Sequence, residues 1–248
     1  MLKCLLTGGI IPEELIKKID ATILKIDATC ADIAEFLNRA KIVLPRAVVF
    51  HGNVFYRAGR DDSVKAAVKR LKEAGVLISP VIDFPLGAGG RFVKFLQWDE
   101  LLREGADEFD FCLNLGAFLS GRYGEAREEL ELPARFSKIK VIIHNHYLVG
   151  NKQRLEDAIK LVRDAGAFCV KDSTGFEPPV SRQVWQDNKK RFLEISRTVA
   201  PELKVKLAGG FKTLADIEIF EELGGADIYG LSAFYKIFLE MKNLLEGE

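Results

Sequence analysis

Apolar residues in this chain gather in short runs that alternate with segments of helical spacing. Eight runs read as strands: residues 19–24, 46–50, 77–84, 108–114, 138–144, 167–173, 204–209 and 227–232. Helical patterns fill the intervals, among them 30–42, 62–74, 151–165 and 213–223. Four of these patterns end in a glycine that precedes an apolar run, a position where the left-handed conformation ends a helix. Gly75, Gly105, Gly166 and Gly225 stand 30, 61 and 59 residues apart, roughly one, two and two strand–helix units. The period predicts an α/β fold of one domain over residues 1–248, a closed (β/α)8 TIM barrel with a short N-terminal helical extension. An open doubly wound sheet is the alternative. Residues 120–136 read as helical but poorly amphipathic, and Pro178-Pro179 after Phe176 mark an irregular loop.

Side chains alternate faces along a strand, and the outer face of a barrel packs on helices. Phe109, Phe111 and Leu113 then face out on the fourth strand, leaving Glu108, Asp110 and Cys112 inside. The same count sends Lys171 and Ser173 inward on the sixth strand and Lys206 inward on the seventh, with Asp172 pointing away. It sends Asp20, Val49 and His144 inward on the first, second and fifth. Two inward lysines, 35 residues apart, are costly in a strand interior unless they meet chemistry there. A buried amine beside a second cation is held toward its neutral form, because desolvation and like charge both disfavour ammonium. Such an amine attacks a carbonyl and forms a Schiff base, an electron sink for C–C bond chemistry. Asp110 supplies a carboxylate to move protons. An ordinary buried ion pair is the plainer reading of the same residues.

Charge narrows the function classes. Lys plus Arg and Asp plus Glu both number 36, which gives no electrostatic footprint for nucleic acid or an anionic membrane. No C-x-x-C pair links the four cysteines, no apolar run reaches membrane length, and the start is unlike a signal peptide. The expectation is a cytoplasmic protein. Glycine turns follow the seventh and eighth strands, at Gly209-Gly210 and Gly230-Leu231-Ser232, where barrel enzymes often bind phosphate through backbone N–H groups. Lys212 can add a charge there.

These residues carry a resemblance. Ile19-Asp20-Ala21-Thr22, Phe84-Pro85-Leu86-Gly87-Ala88, Ala106-Asp107-Glu108-Phe109-Asp110 and Asn114-Leu115-Gly116-Ala117 contribute to it. Lys171-Asp172-Ser173-Thr174-Gly175-Phe176 and Val205-Lys206-Leu207-Ala208-Gly209-Gly210, in that order, are the specific segments. Over roughly its whole length the chain resembles the deoxyribose-phosphate aldolases, a family of class I (Schiff-base) aldolases. The resemblance implies Lys171 as the Schiff-base lysine, Lys206 as the cation beside it and Asp110 as its partner in proton relay. It implies Asp20 near the substrate hydroxyls, Ser173 and Thr174 among the substrate-binding residues, and Gly175, Gly209, Gly210, Gly230 and Ser232 at the phosphate end. The implied reaction is reversible cleavage of 2-deoxy-D-ribose 5-phosphate to acetaldehyde and D-glyceraldehyde 3-phosphate, part of carbohydrate catabolism. No metal or organic cofactor is implied. The chain departs from the family pattern at Ala21, Val49, His144-Asn145, Asp172 and Ala233.

Three other readings compete: a class I aldolase acting on another phosphorylated sugar, a zinc site and a barrel without catalysis. The zinc site would use His144 and His146, with His51 as third ligand. The last would bind a sugar phosphate as a sensor or assembly component. Asp61-Asp62-Ser63 reads as a helix cap and Lys189-Lys190-Arg191 as a solvated helix face. Phe234, Tyr235 and Phe238 either pack the last helix on the barrel or form a homodimer contact.

Overall fold

In a computed structural model, residues 12–54 and 62–246 are described. Eight parallel strands close a barrel in chain order: β1 Ile19–Ile23, β2 Ala47–His51, β3 Leu77–Ile82, β4 Glu108–Cys112, β5 Lys138–Ile142, β6 Cys169–Lys171, β7 Lys204–Ala208 and β8 Ile228–Leu231. β8 closes on β1 with Gly230 opposite Asp20, which excludes the open sheet. The helices are α1 Pro12–Ile16, α2 Cys30–Val43, α3 Asp62–Glu73, α4 Gly90–Arg103, α5 Leu115–Leu119, α6 Tyr123–Phe136, α7 Asn145–Leu148, α8 Lys152–Asp164, α9 Arg182–Val199, α10 Leu214–Glu221 and α11 Phe234–Glu246. Residues 1–11 and Asp61, which carry part of the expected N-terminal extension and helix cap, lie outside the described residues.

The elements follow from local chemistry. Thr29 caps α2 through a reciprocal pair with Asp32, and Ile33, Phe36, Leu37, Ala40 and Val43 then bury one helical stripe. The four glycines of the repeat all have positive φ, between 69° and 91°, at the ends of α3, α4, α8 and α10. The weak amphipathicity of residues 120–136 has a specific cause. α6 buries Glu129 beside Ala126 and Leu130, because Glu129 pairs with the buried Lys94 of α4 and accepts from Asn114 at 2.8 Å.

The apolar core is a shell between outward strand faces and inner helix faces, with Phe109, Phe111, Val170, Val205 and Leu207 all fully buried in it. Phe234 enters this shell against Phe36, and Tyr235 stacks on Phe238, so the C-terminal aromatics pack the last helix on the barrel wall. A second, small cluster of Leu24, Val49 and Val81, with Phe84 against it, is separate from that shell. Among the described residues, no helix is long and apolar enough to cross a membrane.

Candidate active site

The register places barrel-interior residues in layers contributed by alternate strands. The odd strands supply Asp20, Ser79, Lys140 and Lys206; the even strands supply Val49, Asp110, Lys171 and Gly230. Lys206 Nζ donates to Asp20 Oδ2 at 2.5 Å and to Asp110 Oδ2 at 2.8 Å. Lys171 Nζ donates to the same Asp110 oxygen at 2.8 Å. Lys140 lies 2.7 Å from the other oxygen of Asp110, 3.1 Å from Asp20 and 2.6 Å from Glu108. Arg46 pairs with Asp20 and Glu108. Among the described residues, four cationic side chains, Arg46, Lys140, Lys171 and Lys206, therefore face three carboxylates, Asp20, Glu108 and Asp110. The cluster carries a surplus positive charge unless one amine is neutral.

Electrostatics divides the lysines. Burial, helped by Lys140 and Lys171, pushes Lys206 below the ordinary lysine value despite Asp110 and Asp20. Burial also works against a charged Lys140, but Asp110, Asp20 and Glu108 around it push it up. Burial disfavours ionised Asp110, yet Lys140, Lys171 and Lys206 together hold it well below the ordinary aspartate value.

Of these three barrel lysines, Lys171 lines a cavity of about 390 Å3 at the barrel mouth, with Thr22, Gly175, Gly209, Gly210 and Ser232 in its wall. Phe84 and Phe176, centroids 5.4 Å apart, meet edge to face nearby. An adjoining hollow of about 720 Å3 shares Gly175, Gly209 and Gly210 but holds none of the three. Lys212 lines that second hollow beside Gly209 and Gly210, the turn where its charge was expected, but not the cavity that Lys171 lines.

Several expected site residues sit elsewhere. Asp20 is fully buried beneath Lys206 and does not line the cavity, because Arg46, Lys140 and Lys206 hold it inside the barrel. β6 ends at Lys171, so Ser173 lies in the loop, where its hydroxyl donates to the Ala208 carbonyl at 2.7 Å. Thr174 and Gly175 line the cavity, but their N–H groups donate to Glu177 at 2.7 and 2.9 Å. Gly210 is backed by Trp185, whose ring occupies the space a Cβ would need. Gly230 lines the cavity but also makes room for a lysine: a Cβ there would lie 3.2 Å from Lys206 Cε and 2.9 Å from Ala208 Cβ. Replacing Gly230 by alanine is expected to push Lys206 off Asp110 and lower kcat more than it raises KM, as steady-state kinetics would read. An unchanged kcat would contradict that.

The histidines do not assemble as the zinc reading expected. His51 Nε2 lies 3.2 Å from the Leu24 carbonyl, and His144 Nδ1 lies 3.8 Å from Glu177. Among the described residues, no group of three or more His, Cys, Asp and Glu side chains could hold a metal ion.

No protein-family model matches the chain. The deoxyribose-phosphate aldolase of Staphylococcus carnosus is 34% identical over 224 residues, 89% of this chain and 94% of that protein. The deoxyribose-phosphate aldolase of Caldicellulosiruptor saccharolyticus is 33% identical over 92% of this chain and 98% of its own length. A solved tetrameric deoxyribose phosphate aldolase from Aeropyrum pernix superposes with a TM-score of 0.78 at 25% identity, covering 98% of this chain and 97% of that one. The chain belongs to the deoxyribose-phosphate aldolase family.

Within this aldolase, the departures noted in the sequence fall in distinct places. Ala21 is buried in the shell outside the barrel, whereas Val49 joins the small apolar cluster with Leu24 and Val81. Asp172 points away from the axis, as the alternation gives. It is buried, pairs with Lys189 of α9 and accepts from Ala208 N–H at 2.8 Å. Lys189 is accordingly buried too, a correction to the solvated face expected of Lys189-Lys190-Arg191; it also donates to the Ala208 carbonyl at 2.5 Å. Together the pair ties β6, β7 and α9 behind the lysines. Lys189→Met leaves Asp172 buried without its partner and is expected to cost about 3–5 kcal/mol. Urea denaturation measures this; a loss within error of zero would contradict it.

Lys140 and Arg46 of the aldolase went unrecognised in the sequence, as did the part Glu177 takes. The signal for Lys140 was present, since the alternation that turns His144 inward on the fifth strand also turns residue 140 inward. Glu177 lies outside the strands, where alternation says nothing, and Arg46 falls in the expected run 46–50, where counting from Val49 turns it outward, although β2 begins only at Ala47.

Proposed function

We propose that the chain is a class I aldolase that reversibly cleaves 2-deoxy-D-ribose 5-phosphate to acetaldehyde and D-glyceraldehyde 3-phosphate, with Lys171 as the Schiff-base lysine. The observation that carries this reading is the position of Lys171. It lines the mouth cavity, while its amine shares Asp110 Oδ2 with Lys206. The names of the Staphylococcus carnosus and Caldicellulosiruptor saccharolyticus relatives support the substrate.

The chemistry runs through proton transfers that this geometry can carry. Lys206, pushed toward its free-amine form by burial and neighbouring lysines, takes the Lys171 proton across Asp110. The neutral Lys171 attacks C1 of the open-chain sugar, and loss of water leaves a protonated imine. A base removes the C3 hydroxyl proton, the C2–C3 bond breaks, and its electron pair moves into an enamine as glyceraldehyde 3-phosphate departs. Protonation at C2 and addition of water then release acetaldehyde and the amine. The iminium is the electron sink, so the cycle needs neither metal nor organic cofactor. Gly209, Gly210 and Ser232 are the wall residues we assign to the phosphate end. We further place the chain in the cytoplasm, in carbohydrate catabolism, as one domain over its whole length and as a homo-oligomer, in line with the tetrameric relative.

The test is borohydride reduction with acetaldehyde and with deoxyribose 5-phosphate, followed by peptide mapping. A reduced adduct on Lys171 is the expected result. No adduct on folded protein with either compound would overturn the reading.

A further inference from the structure

The turn after β6 already holds an anion, and it belongs to the chain. Glu177 Oε1 accepts from Thr174 N–H at 2.7 Å and from the Thr174 hydroxyl at 2.9 Å, while Oε2 accepts from Gly175 N–H at 2.9 Å. His144 Nδ1 stands 3.8 Å from Oε1. Burial favours the neutral acid, but His144 beside it and the hydrogen bonds from Thr174 bring Glu177 down to about 2, so it is an anion at neutral pH. Successive N–H groups in such a turn form a concavity that receives anions. Thr174 and Gly175 also form part of the cavity wall above Lys171.

The rest of that wall offers a substrate dianion little compensation. Its charged side chains outside the barrel interior are Lys25, Arg39, Asp32 and Glu35, two of each sign among the described residues. Arg39 pairs with Glu35 and lies over Tyr235, and Asp32 caps α2. Lys212 faces the adjoining hollow. A phosphate entering the cavity must displace the Glu177 carboxylate from the turn, or bind at the Gly209 and Ser232 side with that fixed charge nearby. An alcohol at the same end of the substrate meets no such repulsion.

We propose that Glu177 is a specificity-determining residue: by occupying the Thr174 and Gly175 donors, it weakens the preference for a phosphate dianion and admits unphosphorylated 2-deoxy sugars as substrates. The assignment rests on the Schiff-base reading above and adds to it the charge class accepted at the far end of the substrate. The repulsive element, more than any new attractive contact, sets the selectivity.

The experiment compares kcat/KM for cleavage of 2-deoxyribose 5-phosphate and of 2-deoxyribose in wild type, Glu177→Gln and Glu177→Ala, with thermal melts to establish folding. The ratio of phosphorylated to unphosphorylated substrate is expected to rise about threefold in Glu177→Gln and about tenfold in Glu177→Ala, carried by a lower KM for the phosphorylated sugar. A wild-type ratio in the folded glutamine variant would overturn the proposal. Acetaldehyde has no phosphate end, so trapping it on wild-type Lys171 tests the underlying chemistry separately. Failure of that trapping would remove the Schiff-base reading, and this assignment with it; success with an unchanged ratio would remove this assignment alone.

Discussion

Alanine at position 171 is expected to lower aldol cleavage by on the order of 10⁴-fold or more and to abolish the borohydride-reducible adduct. The size follows from the role: without the amine no iminium forms, and the C2–C3 bond has no electron sink to break into. Lys206 cannot stand in, because it is fully buried, holds Asp20 and Asp110, and does not line the cavity. The fold should tolerate the change. Among the described residues Lys171 makes a single ion pair, to Asp110, which keeps Lys140 and Lys206 as partners in its absence. Single-turnover kinetics with deoxyribose 5-phosphate and intact-mass analysis after reduction measure both effects. Residual turnover within about tenfold of wild type would assign the chemistry to another group.

Asparagine at position 110 strikes activity and stability together. Among the described residues Asp110 is the one carboxylate that bridges Lys171 and Lys206, so its loss breaks the proton path and is expected to lower kcat by roughly 10²–10³-fold. It also leaves Lys140, Lys171 and Lys206 buried with less counter-charge, a cost of about 3–5 kcal/mol in urea denaturation. The pH dependence carries the same signature. The three lysines hold Asp110 below the ordinary aspartate value of 3.8 in the folded state. A carboxylate depressed on folding contributes stability that is fully present above the unfolded value and is lost as pH falls through the folded one. Wild type should therefore lose stability on acidification below about pH 4, and the asparagine variant should lose less over that range. Parallel acid limbs in the two proteins would contradict this.

The barrel was legible because its signals are local. Glycines at helix ends, apolar runs of strand length and their period follow from backbone conformation and burial along the chain, and the glycine φ values bear this out. Alternation along β4, β6 and β7 also turned Asp110, Lys171 and Lys206 to one axis, where the structure has them in hydrogen-bond contact. Strand length was less legible: β6 stops at Lys171, so alternation extended to Ser173 assigned an inward direction to a loop residue. Glu129 and Lys189 misled for a different reason, since each is a charged helix residue where solvent was the natural expectation and each is buried against a partner.

The sequence by itself determined the order of strands and helices, the inward lysines and Asp110, and the glycine turns at the mouth. These depend on periodicity and on conformations that neighbouring residues impose. Only the tertiary structure decided which charges are paired. Asp20 meets Lys206 across 186 residues and Lys140 across 120, and Lys94 meets Glu129 across 35. A buried charge is tolerated only beside its partner, and that partner is brought by closure of the barrel rather than by anything nearby in the chain. The same closure decided that Lys171, and neither Lys140 nor Lys206, lines the cavity at the mouth.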